Sequence, residues 1–259
     1  MSPFYFGSSD LPIFGIYSAA NPARDKRKAL LICQATFQEY MRSHRLVKQL
    51  AVQLSAEGIH VLRFDYPGCG DSSGEWHDTD VDNWTSSVLQ AEEELKAVSL
   101  VDDISYLGIR FGASLLVKAA CPTVNSNSSI IFWDPVFDGE QYFQTLTRMQ
   151  GELIADKSRF MDNRKNYQSM ADLEFAGFPV SRTTAEQMKK IKLGPNDCSA
   201  GRILLLHSGT RPDGENSALR SDRMESQALA LGCDWESLAH METQVQEPDL
   251  TAKILKFLS

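Results

Sequence analysis

Residues 106–114 read YLGIRFGAS, and this stretch decides how the chain folds around its candidate site. The segment begins as an apolar strand, turns between Gly108 and Gly112, and continues as an apolar helix. Small residues on both sides of a tight turn let a helix pack closely against neighbouring strands. Arg110 is therefore predicted to lie at the apex of the turn, above a sheet edge and at the N-terminus of the helix.

The rest of the chain alternates apolar strands with amphipathic helices on both sides of this stretch. Strands are predicted at 4–7, 13–18, 29–33, 60–66, 104–109, 129–133, 202–207 and 234–238. Helices are predicted at 41–58, 81–99, through 115–117, 221–231 and 250–258. Such alternation predicts the α/β class, with a mostly parallel central sheet of about eight strands and helices on both faces.

Residues 137–198 interrupt this alternation, because they are charged, helical in places and without a clear strand. No stretch is rich enough in Pro, Gly and Ser to be a domain linker. We therefore predict one domain over residues 1–259, with a helical cap inserted at about 137–198.

The composition excludes several classes of function. The chain has 259 residues and a net charge of −8, which argues against binding to nucleic acid or to anionic membranes. No apolar run reaches the length of a membrane span, and no leader-like segment is visible, so a cytoplasmic location is predicted. No phosphate-binding loop or metal-ligand spacing is present, so no cofactor and no metal are expected.

Five cysteines are spread along the chain without a C-x-x-C pair, which favours reduced thiols over a disulfide framework or a zinc site. They are Cys33, Cys69, Cys121, Cys198 and Cys233.

Three further segments carry a resemblance to a known family. They read CQATFQEYMRSHRLVKQLAVQLSAEGIHVLRFDYPGCGDSSG (33–74), LGIRFGASLL (107–116) and IIFWDPVFDGEQYF (130–143). These segments resemble the serine-aminopeptidase-like and exosortase-associated branch of the α/β-hydrolases, in which RFDYxGxGDSxG follows the fourth strand. The resemblance covers most of residues 25–145 and, more loosely, the C-terminal third. It implies the α/β-hydrolase fold and a G-x-nucleophile-x-G elbow, in which Arg110 replaces the usual Ser, Cys or Asp.

Arg110 cannot itself be the nucleophile, because its guanidinium stays protonated at accessible pH. A cation at the positive end of a helix dipole requires a nearby anion. Asp134, at the end of the adjacent strand, is the internal candidate and would form a structural ion pair. A phosphate or carboxylate of a substrate is the external candidate, and the sequence leaves both open.

Other residues could supply the missing nucleophile. Ser114 lies one helical turn beyond Arg110, Cys33 ends the third strand, and Cys69 lies in the glycine-rich loop after the fourth strand. Each of these residue types is also common as a small buried side chain.

The resemblance also implies a histidine and a carboxylate near the turn. His240 lies between the last predicted strand and the final helix, although a solvent-facing loop histidine fits the same position. The acid is Asp213, after the seventh strand, or Asp134. Ligand contacts are predicted for Gln34, Phe111 and His44.

Two functional hypotheses follow. In the first, the protein hydrolyses an anionic ester or thioester without a covalent intermediate. His240 with Asp213 or Asp134 activates water, and Arg110 with backbone N–H groups stabilises the oxyanion. In the second, the protein is a catalytically inactive binder of an acyl or anionic ligand, or of a partner protein, through the cap. Under either hypothesis the expected partners are a small acyl ester or thioester and a second copy in a homodimer, with no nucleic acid.

Overall fold

The strands and helices follow the predicted alternation closely. The computed structural model describes residues 1–120, 128–156, 173–209 and 223–259. Its strands are β1 (Ser2–Phe6), β2 (Ile13–Ser18), β3 (Lys28–Cys33), β4 (Ile59–Phe64), β5 (Ile104–Ile109), β6 (Ser129–Trp133), β7 (Leu173–Phe175), β8 (Phe178–Val180), β9 (Arg202–His207) and β10 (Met224–Ala228). Its helices are α1 (Phe37–Ala56), α2 (Val81–Ser99), α3 (Phe111–Ala119), α4 (Gly139–Ala155), α5 (Arg182–Lys189) and α6 (Leu250–Leu258).

The central sheet has the strand order β1-β2-β4-β3-β5-β6-β9-β10. From β4 to β10 in this order, adjacent strands are parallel, whereas β1 with β2 and β2 with β4 form antiparallel pairs. This arrangement confirms the predicted fold class. It also brings the carboxyl ends of β3, β5, β6 and β9 to one edge of the sheet, where polar side chains that follow the strands meet.

Helices cover both faces of the sheet, and the side chains of β3 show this directly. Leu30 and Ile32 belong to a core that α1 and α6 cover, whereas Leu31 and Cys33 belong to a second core that α2 and α3 cover. Successive side chains of a strand point to opposite faces, so a strand buried on both faces is apolar at every position. This explains why ALLIC at 29–33 contains no polar residue.

The last part of the predicted alternation is wrong. The sequence predicts a helix at 221–231; residues 221–222 lie outside the described residues, and Met224–Ala228 is strand β10, parallel to β9 at the sheet edge. Met, Glu, Gln and Ala are good helix formers, but helix propensity amounts to less than about 1 kcal/mol per residue, and the ladder of hydrogen bonds to β9 outweighs it. The strand predicted at 234–238 is absent. Instead, Trp235 packs into the core, with its ring centre 5.5 Å from that of Trp133.

The insertion between β6 and β9 contains α4, α5 and the antiparallel hairpin β7–β8, so the expectation of no strand there is also wrong. Helix α5 is tied to the start of α2. The Thr184 hydroxyl donates to the Thr79 carbonyl at 2.9 Å, and Val81 N–H donates to the Gln187 amide oxygen at 2.8 Å. The assignment of this insertion as a cap on one domain stays a prediction.

The cysteines differ from the expectation at one position. Cys198 is disulfide-bonded, which corrects the prediction of reduced thiols for that residue. Cys33, Cys69 and Cys233 are free, as expected, and Cys121 lies outside the described residues. Among the helices that the structure describes, none combines the length and apolarity needed to cross a membrane.

Candidate functional site

The β5–α3 turn carries Arg110 at its apex with φ 51° and ψ −125°, a backbone conformation that non-glycine residues rarely adopt. Backbone hydrogen bonds hold it there. Arg110 N–H donates to the Trp133 carbonyl at 3.0 Å, and the Arg110 carbonyl accepts from Ala113 and Val136. The turn is therefore fixed by β6 on one side and by its own helix on the other.

Both glycines of the turn are required by close packing. A Cβ on Gly108 would lie 2.7 Å from the Cα of Ala113, and a Cβ on Gly112 would overlap the carbonyl oxygens of Gln34 and Cys33. Helix α3 thus begins in direct contact with the end of β3. This contact is the reason for the G-x-x-x-G spacing in the sequence.

Two neighbouring residues share the unusual backbone region. Phe37, at the start of α1, has φ 55°, and Asp134, after β6, has φ 42°. Together with Arg110 they lie where three adjacent strands end. Such strain costs about 1–3 kcal/mol per residue, and it clusters at functional sites.

The Arg110 side chain binds Glu39, which the sequence did not single out. Its Nε donates to Glu39 Oε1 at 2.9 Å, and its Nη1 donates to the backbone carbonyl of Asp134 at 3.1 Å. The guanidinium carbon lies 5.9 Å from the Tyr142 ring centre and 5.5 Å from that of Trp235. Arg110 is thus enclosed by an anion, a carbonyl and two aromatic rings.

Glu39 and Arg110 form a buried pair, with side chains that are 2% and 11% exposed. The second carboxylate oxygen of Glu39 accepts the Tyr142 hydroxyl at 2.9 Å. Burial raises the pKa of Glu39, and the charge and hydrogen bonds of Arg110 and Tyr142 oppose that rise. Burial lowers the pKa of Arg110, but Glu39 and Tyr142 raise it more, so the guanidinium remains charged.

The anion beside Arg110 is thus not the predicted carboxylate of Asp134. That carboxylate accepts Ser208 N–H at 2.7 Å, the Ser208 hydroxyl at 2.5 Å and Trp235 Nε1–H at 2.7 Å. Asp134 therefore fixes the ends of β6 and β9 and the segment around Trp235. It contacts Arg110 through its backbone carbonyl.

The two predicted histidines lie apart from these carboxylates. His240 is exposed at the end of the 3-10 helix Leu238–His240. His44 is exposed on α1, where its Nδ1 lies 2.8 Å from the Met41 carbonyl. Asp213 lies outside the described residues. Within the described ranges, the structure brings together no histidine and carboxylate at the β5–α3 turn.

The predicted alternative nucleophiles are buried. Ser114 is fully buried, and its hydroxyl donates to the Val136 carbonyl. Cys33 is fully buried and Cys69 is 5% exposed; burial raises the pKa of both thiols. A thiol reacts as its thiolate, so both environments oppose nucleophilic attack.

Gln34 and Phe111, predicted to contact a ligand, are also buried. The Gln34 amide donates to the Phe64 carbonyl at 2.8 Å, and the Phe111 ring stacks on Tyr142 with centres 5.5 Å apart. A cavity of about 190 Å³ opens beside Arg110 and Tyr142. Its lining includes neither Gln34 nor Phe111 nor His44; Asp138 and Glu236 supply its acidic groups.

Sequence reasoning missed Glu39, Tyr142 and Trp235. The sequence predicts a helix from residue 41 and so leaves Glu39 in a loop, whereas α1 begins at Phe37. A start at Phe37 would have placed Glu39 in the first turn, next to the end of β3. Tyr142 and Trp235 lie 32 and 125 residues from Arg110 in the chain, and only the fold brings them to it.

Comparison with solved structures supports this architecture. A putative hydrolase from Agrobacterium vitis is 18% identical with a TM-score of 0.60, over 100% of this chain and 98% of the other. The ferulic-acid-bound Est1E from Butyrivibrio proteoclasticus is 15% identical with a TM-score of 0.66, over 98% and 97%. An alpha-beta serine hydrolase homologue from Coxiella burnetii is 13% identical with a TM-score of 0.57, over 100% and 97%.

At these identities the likeness shows the fold, which is that of the α/β-hydrolases. No protein-family model matches the chain, and no curated protein matches it either.

Proposed function

We propose that this α/β-hydrolase-fold protein is non-catalytic and acts by binding. In this proposal the β5–α3 turn corresponds to the nucleophile elbow, and Arg110 converts it from a reaction centre into a structural ion pair. The buried Arg110–Glu39 pair carries the proposal. It fills the elbow with a side chain that cannot attack an acyl carbon and that is already neutralised.

The pair also weakens the case for Arg110 as an oxyanion stabiliser. A group that stabilises developing negative charge works through donors that are free to meet it. Two of the five N–H donors of Arg110 are engaged, since Nε donates to Glu39 and Nη1 donates to the Asp134 carbonyl. An incoming oxyanion would have to compete with a permanent carboxylate 2.9 Å from Nε.

General-base catalysis lacks support from the same region. Both oxygens of the Asp134 carboxylate accept hydrogen bonds from Ser208 or Trp235, and His240 is exposed. In well-studied hydrolases of this mechanism, removal of the nucleophile lowers kcat by about a millionfold. A histidine hydrogen-bonded to an acid would be needed to recover part of that loss in kcat.

The cavity beside Arg110 limits what the elbow itself can bind. Its volume of about 190 Å³ is below the roughly 300 Å³ at which small-molecule pockets usually begin. The turn therefore suits only a molecule smaller than most ligands of small-molecule sites. The predicted acyl ligand and the predicted homodimer remain proposals, and this cavity gives no support to either.

Hydrolysis assays test the proposal. The purified chain, Arg110→Ala and His240→Ala are incubated with p-nitrophenyl acetate and with acetyl-CoA, and His77→Ala, another exposed histidine, serves as the matched control. We expect all four proteins to show only the rate of buffer. The proposal would be overturned if the unmodified chain hydrolysed a substrate with saturable kinetics, if Arg110→Ala or His240→Ala abolished that activity, and if His77→Ala kept it.

A fluorophosphonate probe gives an independent readout. The proposal expects no covalent adduct by intact-protein mass spectrometry, because Ser114 is buried and hydrogen-bonded. Stoichiometric labelling of any serine or cysteine would contradict it.

A further inference from the structure

A larger cavity of about 420 Å³ lies away from the β5–α3 turn. It is formed by α1, by the start of α6 and by the segment that precedes α6. Its volume falls in the range of small-molecule sites. The lining residues are Arg45, Leu46, Gln49, Gln53, Leu231, Gln244, Val245, Gln246, Glu247, Pro248 and Thr251. We call this cavity the α1–α6 groove.

Helix α1 presents one polar stripe to the groove. Arg45, Gln49 and Gln53 are spaced by four residues and so lie on one side of the helix. Gln53 is held by the Thr251 hydroxyl. The Arg45 side chain is exposed, and it has no hydrogen bond or ion pair with any residue that the structure describes. The groove therefore offers one unengaged guanidinium.

Glu247 is the acidic residue that lines the groove, opposite in charge to Arg45. It is only 3% exposed, and its Oε2 accepts Leu231 N–H at 3.3 Å. The backbone N–H of Gly232 also lowers the pKa of this carboxyl. Its Oε1 is buried and makes no hydrogen bond of normal geometry within the described part of the chain. A buried carboxylate oxygen without a donor is costly, and an ammonium group compensates both its charge and its missing hydrogen bond.

Arg45 and Glu247 are both described by the structure and line the same groove, but they form no ion pair with each other. We propose that the α1–α6 groove binds a small zwitterion of the α-amino acid class, with its ammonium on Glu247 and its carboxylate on Arg45. The two protein charges then each find a partner. This proposal does not depend on whether the elbow is catalytic.

The remaining lining fits the rest of such a ligand. Gln49, Gln244 and Gln246 supply amides that both donate and accept hydrogen bonds. Leu46 and Val245 supply apolar surface for a short aliphatic side chain. Burial raises the pKa of Glu247, with a smaller contribution from Asp249. A bound ammonium opposes that rise, so ligand and proton compete for this carboxylate.

Isothermal titration calorimetry of the full chain tests the proposal with three probes. L-leucine carries both charges, N-acetyl-L-leucine lacks the ammonium, and L-leucinamide lacks the carboxylate. We expect L-leucine to bind and each derivative to bind at least tenfold more weakly. Absence of L-leucine binding at millimolar concentration would overturn the proposal, as would a derivative that binds as well as L-leucine.

Four variants locate the site. We expect Arg45→Gln and Glu247→Gln each to weaken L-leucine binding at least tenfold. Lys48→Gln, an exposed cation on the same helix, and Glu225→Gln, an exposed carboxylate on β10, should leave it unchanged. Arg45 is exposed, so its variant keeps the test valid even if Glu247→Gln fails to fold. Unchanged affinity in Arg45→Gln would refute the proposal.

Discussion

Arg110 combines a strained backbone with a side chain whose charge is neutralised inside the protein. Its backbone keeps the strained conformation of a sharp strand–turn–helix, at φ 51°. Its side chain bends back to Glu39 and lies between the rings of Tyr142 and Trp235. These contacts stabilise the strained turn. In our proposal that strain serves no catalytic step. The Arg110–Glu39 ion pair should therefore contribute measurably to the stability of the β5–α3 turn.

We predict that Glu39→Gln lowers the free energy of unfolding by about 3 kcal/mol, because it leaves the buried guanidinium without its anion. Arg110→Gln should cost a similar amount by stranding the carboxylate. The double variant should cost less than the sum, with a coupling energy of about 1–3 kcal/mol. Urea unfolding of the four proteins measures this cycle.

The exposed pair Arg24–Glu57, with side chains 58% and 43% exposed, is the control. Glu57→Gln should change stability by no more than about 0.5 kcal/mol. Additive costs for the Glu39 and Arg110 variants would show that the buried pair does not act as a unit.

Glu247 predicts a pH dependence with a definite sign. Burial raises its pKa above the ordinary value of 4.5, and neighbouring Asp249 adds to the rise. The folded state then holds a proton that the unfolded state has lost, so this contribution to stability is fully present below pH 4.5 and is lost as the pH rises through the folded pKa. Relative to Glu247→Gln, the unmodified chain should gain stability as the pH falls from 7 to 4.5.

Chemical denaturation at several pH values measures this difference, and Glu225→Gln, which removes an exposed carboxylate, should show no such trend. An unmodified chain that gains stability relative to Glu247→Gln as the pH rises from 4.5 to 7 would contradict the prediction.

At the scale of elements, local preference and tertiary contact compete at two places. Residues 224–228 read MESQA and favour a helix, yet they pair with β9 as β10. Helix α3 begins at Phe111, directly after the Arg110 apex, because Gly112 lets its first turn touch the end of β3. In both cases a neighbour in space decides the structure.

Two glycine-to-alanine substitutions should therefore have opposite signs. Gly112→Ala should lower stability by roughly 3 kcal/mol, because its Cβ overlaps the backbone carbonyls of Cys33 and Gln34, which cannot move freely. Gly151→Ala, in the exposed part of α4 with no atom within 4 Å of the new Cβ, should raise it by about 0.5–1 kcal/mol. Thermal unfolding compares the two, and equal effects would argue against the packing explanation.

At the scale of the molecule, one sheet separates two cores. Ile254 of α6 lies in the core on one face, and Leu116 of α3 lies in the core on the other; both are fully buried. Because β3, β4, β5, β6 and β9 each contribute alternate side chains to both cores, loss of packing on one face weakens the sheet that supports the other.

We predict that Ile254→Ala and Leu116→Ala each lower global stability by about 2–5 kcal/mol with one shared unfolding transition. Val52→Ala, at a side chain 41% exposed on α1, should change it by less than about 0.5 kcal/mol. Denaturation followed by tryptophan fluorescence and by circular dichroism should give coincident curves. Separate transitions for the two faces would show that the cores unfold independently.

The sequence by itself determined the fold class and most of its elements. Apolar runs such as ALLIC at 29–33 fix buried parallel strands, and the helix at Val81–Ser99 and the final helix Leu250–Leu258 follow from their amphipathic spacing. The glycine spacing also located the β5–α3 turn. These signals are local, since side-chain periodicity and turn chemistry act over a few residues.

Only the tertiary structure decided which anion neutralises Arg110, where the last strand lies and that Glu247 lines a cavity with Arg45. Each answer depends on residues distant in the chain: Glu39 is 71 positions from Arg110. Charge requires that a buried cation have a partner, but it does not say which carboxylate the fold brings within reach.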